Sequence, residues 1–224
     1  MPGALALLLA RCGPAATPMT LGLLELERDR QFHRIAARDR QRLVRIALDA
    51  GVEAANGLRT AAGSESPRQI ANRLGVRVDT IEDEGGYDTV SVFADYVARP
   101  PCIRLYARAI ARLDCHLEDY PDGDQLVGTG TRPVFVAHEL FHHLEALDPA
   151  RALARRQRVA ILTLGPFRLT TGLSSLAEIA AGAFAQNLLG LRHHPKLLDV
   201  VALFDADPAA AERLADRLLR TPSG

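Results

Sequence analysis

The chain has 224 residues, 48% of them hydrophobic, with 27 Lys and Arg balanced by 27 Asp and Glu. That balance gives no basic excess for direct nucleic-acid binding and no acidic excess of the disordered kind. The length suits one domain of moderate size with a helical extension rather than two large ones. Cys12, Cys102 and Cys115 are too few and too scattered for a disulfide framework or a paired-cysteine metal motif, which points to reduced thiols and a cytoplasmic setting.

Residues 1–20 contain the apolar run Ala4 to Ala10, but no Lys or Arg precedes it and Arg11 follows, so it does not read as an export signal. This stretch is expected to be disordered, or to precede a true start at Met19. No run reaches the roughly 18 apolar residues that a membrane span needs. Residues 21–57 form a helical element, with Leu24, Phe32, Ile35, Leu43, Ile46 and Leu48 at roughly helical spacing and a mixed-sign Arg/Asp run that reads as a solvated face.

Residues 66–220 read as the main domain. Ser66-Pro67 is an N-cap followed by proline at the first helical position, and Gly75 stops that helix. Val76 to Ile81 alternates as a strand, Gly85-Gly86 makes a turn, and Thr89 to Tyr96 and Cys102 to Tyr106 supply two more strands. Residues 114–130 read as a surface loop, followed by helices over about 133–147, 151–164, 174–190 and 195–220. The expected fold is α+β, mainly helical, with a small antiparallel sheet beside the 133–147 helix.

That helix carries His138-Glu139-Leu140-Phe141-His142, the pattern H-E-x-x-H in a strongly apolar setting. Histidines four apart stand one above the other on one helix face, so both imidazoles can reach one zinc ion. Glu139, beside the first ligand, is placed to take a proton from a water polarised by the metal. A catalytic zinc needs a third protein ligand and an open fourth position. Two carboxylates compete for the third place. Asp148 lies six residues after His142, but the helix would have to break at Glu145, where sites of that kind need glycine. Glu178 lies on a separate predicted helix rich in alanine and leaves both helices regular, which favours it. Ser175-x-x-Glu178 is also a capping box, in which the glutamate only returns a hydrogen bond to the Ser175 N–H.

Over about residues 67–190 the sequence resembles the ImmA/IrrE family of zinc metallopeptidases. The likeness rests on Ile70-Ala71-Asn72-Arg73-Leu74-Gly75-Val76, Ile103-Arg104-Leu105, Ala137-His138-Glu139-Leu140-Phe141-His142-His143-Leu144 and Glu178-x-x-Ala181-x-x-Phe184-Ala185, in that order. The resemblance implies one zinc ion per chain held by His138, His142 and Glu178, with Glu139 as catalytic base. It also implies a protein or peptide substrate of the kind such enzymes cut, transcriptional repressors in stress responses or mobile-element control. Three features depart from the family. Gly182 stands where Asn or Asp is usual, the 114–130 stretch lengthens the link to the zinc helix, and Leu188-Leu189-Gly190 replaces the usual Met-Pro. Tyr96, Tyr106, His116, Arg192, His193 and His194 are all candidates for stabilising the transition state, with His193 and His194 reading as an exposed polar turn. The rival expectation is a non-catalytic zinc-binding regulator or sensor. Nothing in the sequence speaks to oligomeric state.

Overall fold

Capping chemistry sets where the helices begin. In the computed structural model, which describes residues 3–83, 86–87, 90–118, 120, 126–128, 130–149, 152–164 and 167–221, α1 (Ala4–Cys12) is followed by α2 (Pro18–Glu27). Thr17 opens α2 by accepting the Thr20 N–H at 3.1 Å. α3 (Ala37–Ala62) comes next, and then α4 (Pro67–Arg73), which opens on a reciprocal box. Gln69 Oε1 accepts the Ser66 N–H at 2.8 Å, and Ser66 Oγ accepts the Gln69 N–H at 3.4 Å. Gly75, at φ 77°, then turns the chain out of the helix as expected.

The strands follow. β1 (Arg77–Ile81), β4 (Ala94–Ala98) and β5 (Pro101–Tyr106) form a sheet in the order β1–β5–β4, while β2 (Gly86–Tyr87) and β3 (Val90–Ser91) make a two-residue antiparallel ladder. The sheet is mixed rather than antiparallel as expected, because β5 pairs antiparallel with β4 and parallel with β1. The reason is burial: Cys102, Ile103 and Leu105 are buried, which draws β5 to the centre between two edge strands. Gly85 of the expected turn lies outside the described residues.

Three further expectations are corrected. Residues 107–118 are helical, α5 (Ala107–Glu118), where a surface loop was expected from 114. Ala109, Ile110, Leu113 and Leu117 make its buried stripe, masked in the sequence by the polar Asp114, Cys115 and His116. Residues 119, 121–125 and 129 of the expected loop lie outside the described residues. After α6 (Thr131–Leu147), the expected 151–164 helix is only one turn, α7 (Leu153–Arg156), followed by an antiparallel pair, β6 (Arg158–Leu164) and β7 (Phe167–Gly172). Val159, Ile161 and Thr163 are β-branched at alternate positions, a period-2 signal that competes with the helical one. α8 (Ser175–Leu189) follows. The expected 195–220 helix is a 3₁₀ turn (Pro195–Leu197), α9 (Leu198–Ala206) and α10 (Pro208–Arg220), broken where Asp207 caps α10 by accepting the Ala210 N–H at 3.0 Å.

Two apolar clusters hold these elements together. The larger joins α3, α4, the sheet, α6 and α8, and the second joins α1, α2, α5, α9 and α10. α1, expected to be disordered or to precede the start, buries Leu8, Leu9 and Cys12 in the second cluster. It meets α2 at a 98° bend, and among the described residues no single helix is long and apolar enough to cross a membrane. The 21–57 stretch is part of the core rather than an appendage. At Gly51 of α3 an added Cβ would lie 2.2 Å from the Ala180 carbonyl oxygen of α8. The alanines of α8 thus serve the approach of α3 as well as contact with α6.

Candidate metal centre

α6 is an apolar helix that buries Val134, Val136, Ala137, Leu140 and Phe141, and this burial fixes its rotation about its own axis. His138 and His142, one turn apart, then stand together with ring centroids 5.2 Å apart. α8 brings Glu178 to them in its first turn. His138 Nε2 lies 3.2 Å from Glu178 Oε2, and His142 Nε2 lies 3.5 Å from Glu178 Oε1. One ligand atom from each of the three residues falls within 4.8 Å of the others, so the group can hold a metal ion. The Glu178 side chain is 47% exposed, which leaves these atoms reachable from solvent.

The capping-box alternative for Glu178 does not apply. Ser174, not Ser175, is the N-cap of α8, and the Ser175 N–H and hydroxyl both donate to Asp29 Oδ2, at 3.1 and 3.0 Å. Asp29 is buried, and it frees Glu178 to face the histidines. In the sequence Asp29 is one acid in a mixed-charge run, and only the tertiary contact reveals its role. Asp148 caps the C-terminus of α6 and is not one of the three clustered residues.

Electrostatics follow from burial and proximity. Burial works against charge on His138, but the hydrogen bond to Glu178 and the charge of Glu139 outweigh it and raise the pKa. Burial, then His138, push His142 down to about 4. For Glu178 burial alone would raise the pKa, but the His138 hydrogen bond and both imidazole charges bring it down to about 2. Glu139 is 9% exposed, and burial pushes its carboxyl up to about 7. In the metal-free protein Glu139 therefore favours folding fully below its ordinary pKa of 4.5, and that contribution is lost as pH rises through about 7. Glu139→Gln is accordingly expected to stabilise the metal-free protein at pH 8 by about 3 kcal/mol and to change little at pH 4, measured by denaturant unfolding in chelator. Equal effects at both pH values would contradict the buried carboxyl.

Of the six candidates for a further polar group, His194 alone joins His138, Glu139 and Glu178 in lining one cavity. It is 4% exposed rather than part of an exposed turn. Its Nδ1 accepts the Lys196 N–H at 3.2 Å, and burial, then Lys196, push its pKa down to about 3. A Cβ at position 182 would lie 2.5 Å from His194 Cε1, so the bare glycine lets the imidazole close onto α8 one turn beyond Glu178. None of the others lines that cavity, and His193 is half-buried rather than exposed. The Tyr96 hydroxyl meets His143 Nδ1 at 2.8 Å, Tyr106 donates to Asp95, His116 pairs with Asp205, and Arg192 is exposed.

No protein-family model, curated protein or solved structure matches the chain. The site is therefore read on its own geometry.

Proposed function

We propose that the chain is a zinc-dependent peptidase that hydrolyses a peptide bond in a protein substrate. The observation that carries this reading is the spacing of the donor atoms. Tetrahedral zinc with bonds near 2.1 Å sets its ligand atoms about 3.4 Å apart; Glu178 places Oε2 3.2 Å from His138 Nε2 and Oε1 3.5 Å from His142 Nε2, and one donor atom of each residue lies within 4.8 Å of the others. Two imidazoles and one carboxylate, with one side reachable from solvent, are the donor set of a catalytic zinc, whereas a structural site closes with four protein ligands. Zinc held there would supply a Lewis acid and a water acidic enough to ionise near neutral pH. Glu139, in the wall of the same cavity, is the carboxylate that would accept a proton from the attacking water and pass it to the departing amine. The apolar packing of α6 and the anchoring of Ser175 by Asp29 support the helices that carry these carboxylates and imidazoles.

The resemblance to the ImmA/IrrE family supports a transcriptional repressor as the substrate, and the free thiols of Cys12, Cys102 and Cys115 support a cytoplasmic setting. The test is zinc analysis of the wild type and His142→Ala, followed by incubation with repressors encoded by neighbouring genes. One zinc per chain in the wild type, loss in the variant and cleavage of one such repressor are expected. Absence of zinc from the wild type rejects the metal site. Stoichiometric zinc without cleavage of any repressor rejects this reading in favour of a regulator or sensor.

A further inference from the structure

Two of the three candidate ligands, His138 and Glu178, stand with Glu139 at one side of a cavity of about 250 Å³. That is roughly the room of eight water molecules, enough for one large side chain and too little for a folded segment. Its apolar walls include Leu21 of α2, Val134 and Phe135 of α6, and Leu198 at the start of α9. Leu21 and Leu198 lie outside residues 67–190, so two of its apolar walls come from stretches beyond those that carry the family resemblance.

Glu25, Lys196 and Asp199 also line it, but their charges are spent on one another. Lys196 Nζ lies 2.8 Å from Glu25 Oε2 and 3.1 Å from Asp199 Oδ2, and Arg28 Nη1 lies 3.2 Å from Asp199 Oδ2 and 3.4 Å from Glu25 Oε2. Two cations meet two carboxylates, and no net charge remains to hold a charged group. An acidic or basic side chain entering between Leu21, Val134 and Leu198 would lose its hydration beside apolar walls, where the cavity's remaining carboxylates, Glu139 and Glu178, are committed to the metal centre. An aliphatic or aromatic side chain would lose nothing and gain burial.

We infer that this cavity is the specificity pocket of the peptidase and takes one large apolar side chain of the substrate, at a residue flanking the scissile bond. The inference rests on the peptidase reading for the word substrate, but the pocket chemistry can be measured without cleavage. Leu21 and Leu198, from opposite ends of the chain, set the size of the residue admitted.

The experiment has two arms. In the first, N-acetyl amino-acid amides of Leu, Phe, Gly, Asp and Lys are titrated by NMR into the zinc-loaded Glu139→Gln protein. The same titrations are run with Leu198→Phe and Leu21→Phe each added to it, either of which narrows the pocket, and with thermal unfolding as the check on folding. Leu and Phe amides are expected to bind at least about tenfold more tightly than the other three, and that preference is expected to vanish in the narrowed variants. In the second, zinc-loaded wild type and the same two substitutions digest a mixed peptide library. Cuts beside Leu, Met or Phe are expected in the wild type, shifting to Ala or Gly in the variants with zinc content unchanged. Selective amide binding without any cleavage keeps the pocket and overturns the peptidase reading. Cleavage whose flanking preference ignores both substitutions overturns the pocket and keeps the peptidase, and amides that bind without discrimination overturn the pocket whatever the library shows.

Discussion

Glu139→Gln is expected to keep one zinc per chain and to lower cleavage by about 10²–10⁴-fold, the range that a positioned general base contributes. Glutamine preserves the volume of a side chain that is 9% exposed, so the packing of α6 should survive. It also leaves His138, His142 and Glu178 intact. What it removes is a carboxylate able to accept a proton. The metal-free value of about 7 for this carboxyl shows how strongly burial disfavours its charge. A cation at the neighbouring ligands favours the carboxylate form and moves that value downward. The acid limb of kcat/KM in the loaded enzyme should therefore lie below pH 7, with activity falling as Glu139 becomes protonated. The variant should show no such limb in its residual rate. Zinc content by mass spectrometry of the native protein and a pH series on a cleaved repressor check both halves. A variant that cuts at the wild-type rate would remove Glu139 from the chemistry while leaving the metal centre standing.

The parts of this site that were legible in the sequence are those fixed by local geometry. His138 and His142 meet because residues four apart on a helix always do, and the apolar pattern around them already places the helix. Glu178 was legible only as one of two carboxylates, because its meeting with the histidines depends on how α8 docks. That docking rests on Asp29, 146 residues before Ser175, and no periodicity announces such a pair. His194 escapes the sequence pattern for the same reason, since it is buried against Gly182 of α8. Errors in secondary structure have a different origin. β6 and β7 carry Leu162, Phe167 and Leu169 exposed, so burial does not enforce a clean inside-outside alternation there. In α5 the apolar stripe is narrow, and the polar residues between its members obscure it. The order of strands in the sheet was not legible at all, because which strand becomes central is decided by burial on both faces rather than by the pattern along any one of them.

The close approach of α3 to α8 gives a test whose sign opposes the ordinary rule for helices. Alanine in place of glycine inside a helix normally stabilises by about 1 kcal/mol. Gly57 of α3 has no atom within 4 Å of a built Cβ, and Gly57→Ala should follow that rule. At Gly51 the same Cβ would lie 2.2 Å from the Ala180 carbonyl oxygen and 2.9 Å from the Phe184 nitrogen. Both are backbone atoms inside a helix, so no side-chain rotation relieves the clash and the two helices must separate. Gly51→Ala is expected to destabilise by about 1–3 kcal/mol despite its better propensity. In a chain of this size that is a fall of about 2–4 °C in melting temperature per kcal/mol. Ala180 follows Glu178 by two residues, so a displacement of α8 is carried to the carboxylate, and zinc affinity should fall in Gly51→Ala and not in Gly57→Ala. If both substitutions stabilise alike, α3 does not press on α8 at Gly51. If Gly51→Ala destabilises yet binds zinc as the wild type does, Glu178 is held by Asp29 and the α8 N-terminus alone.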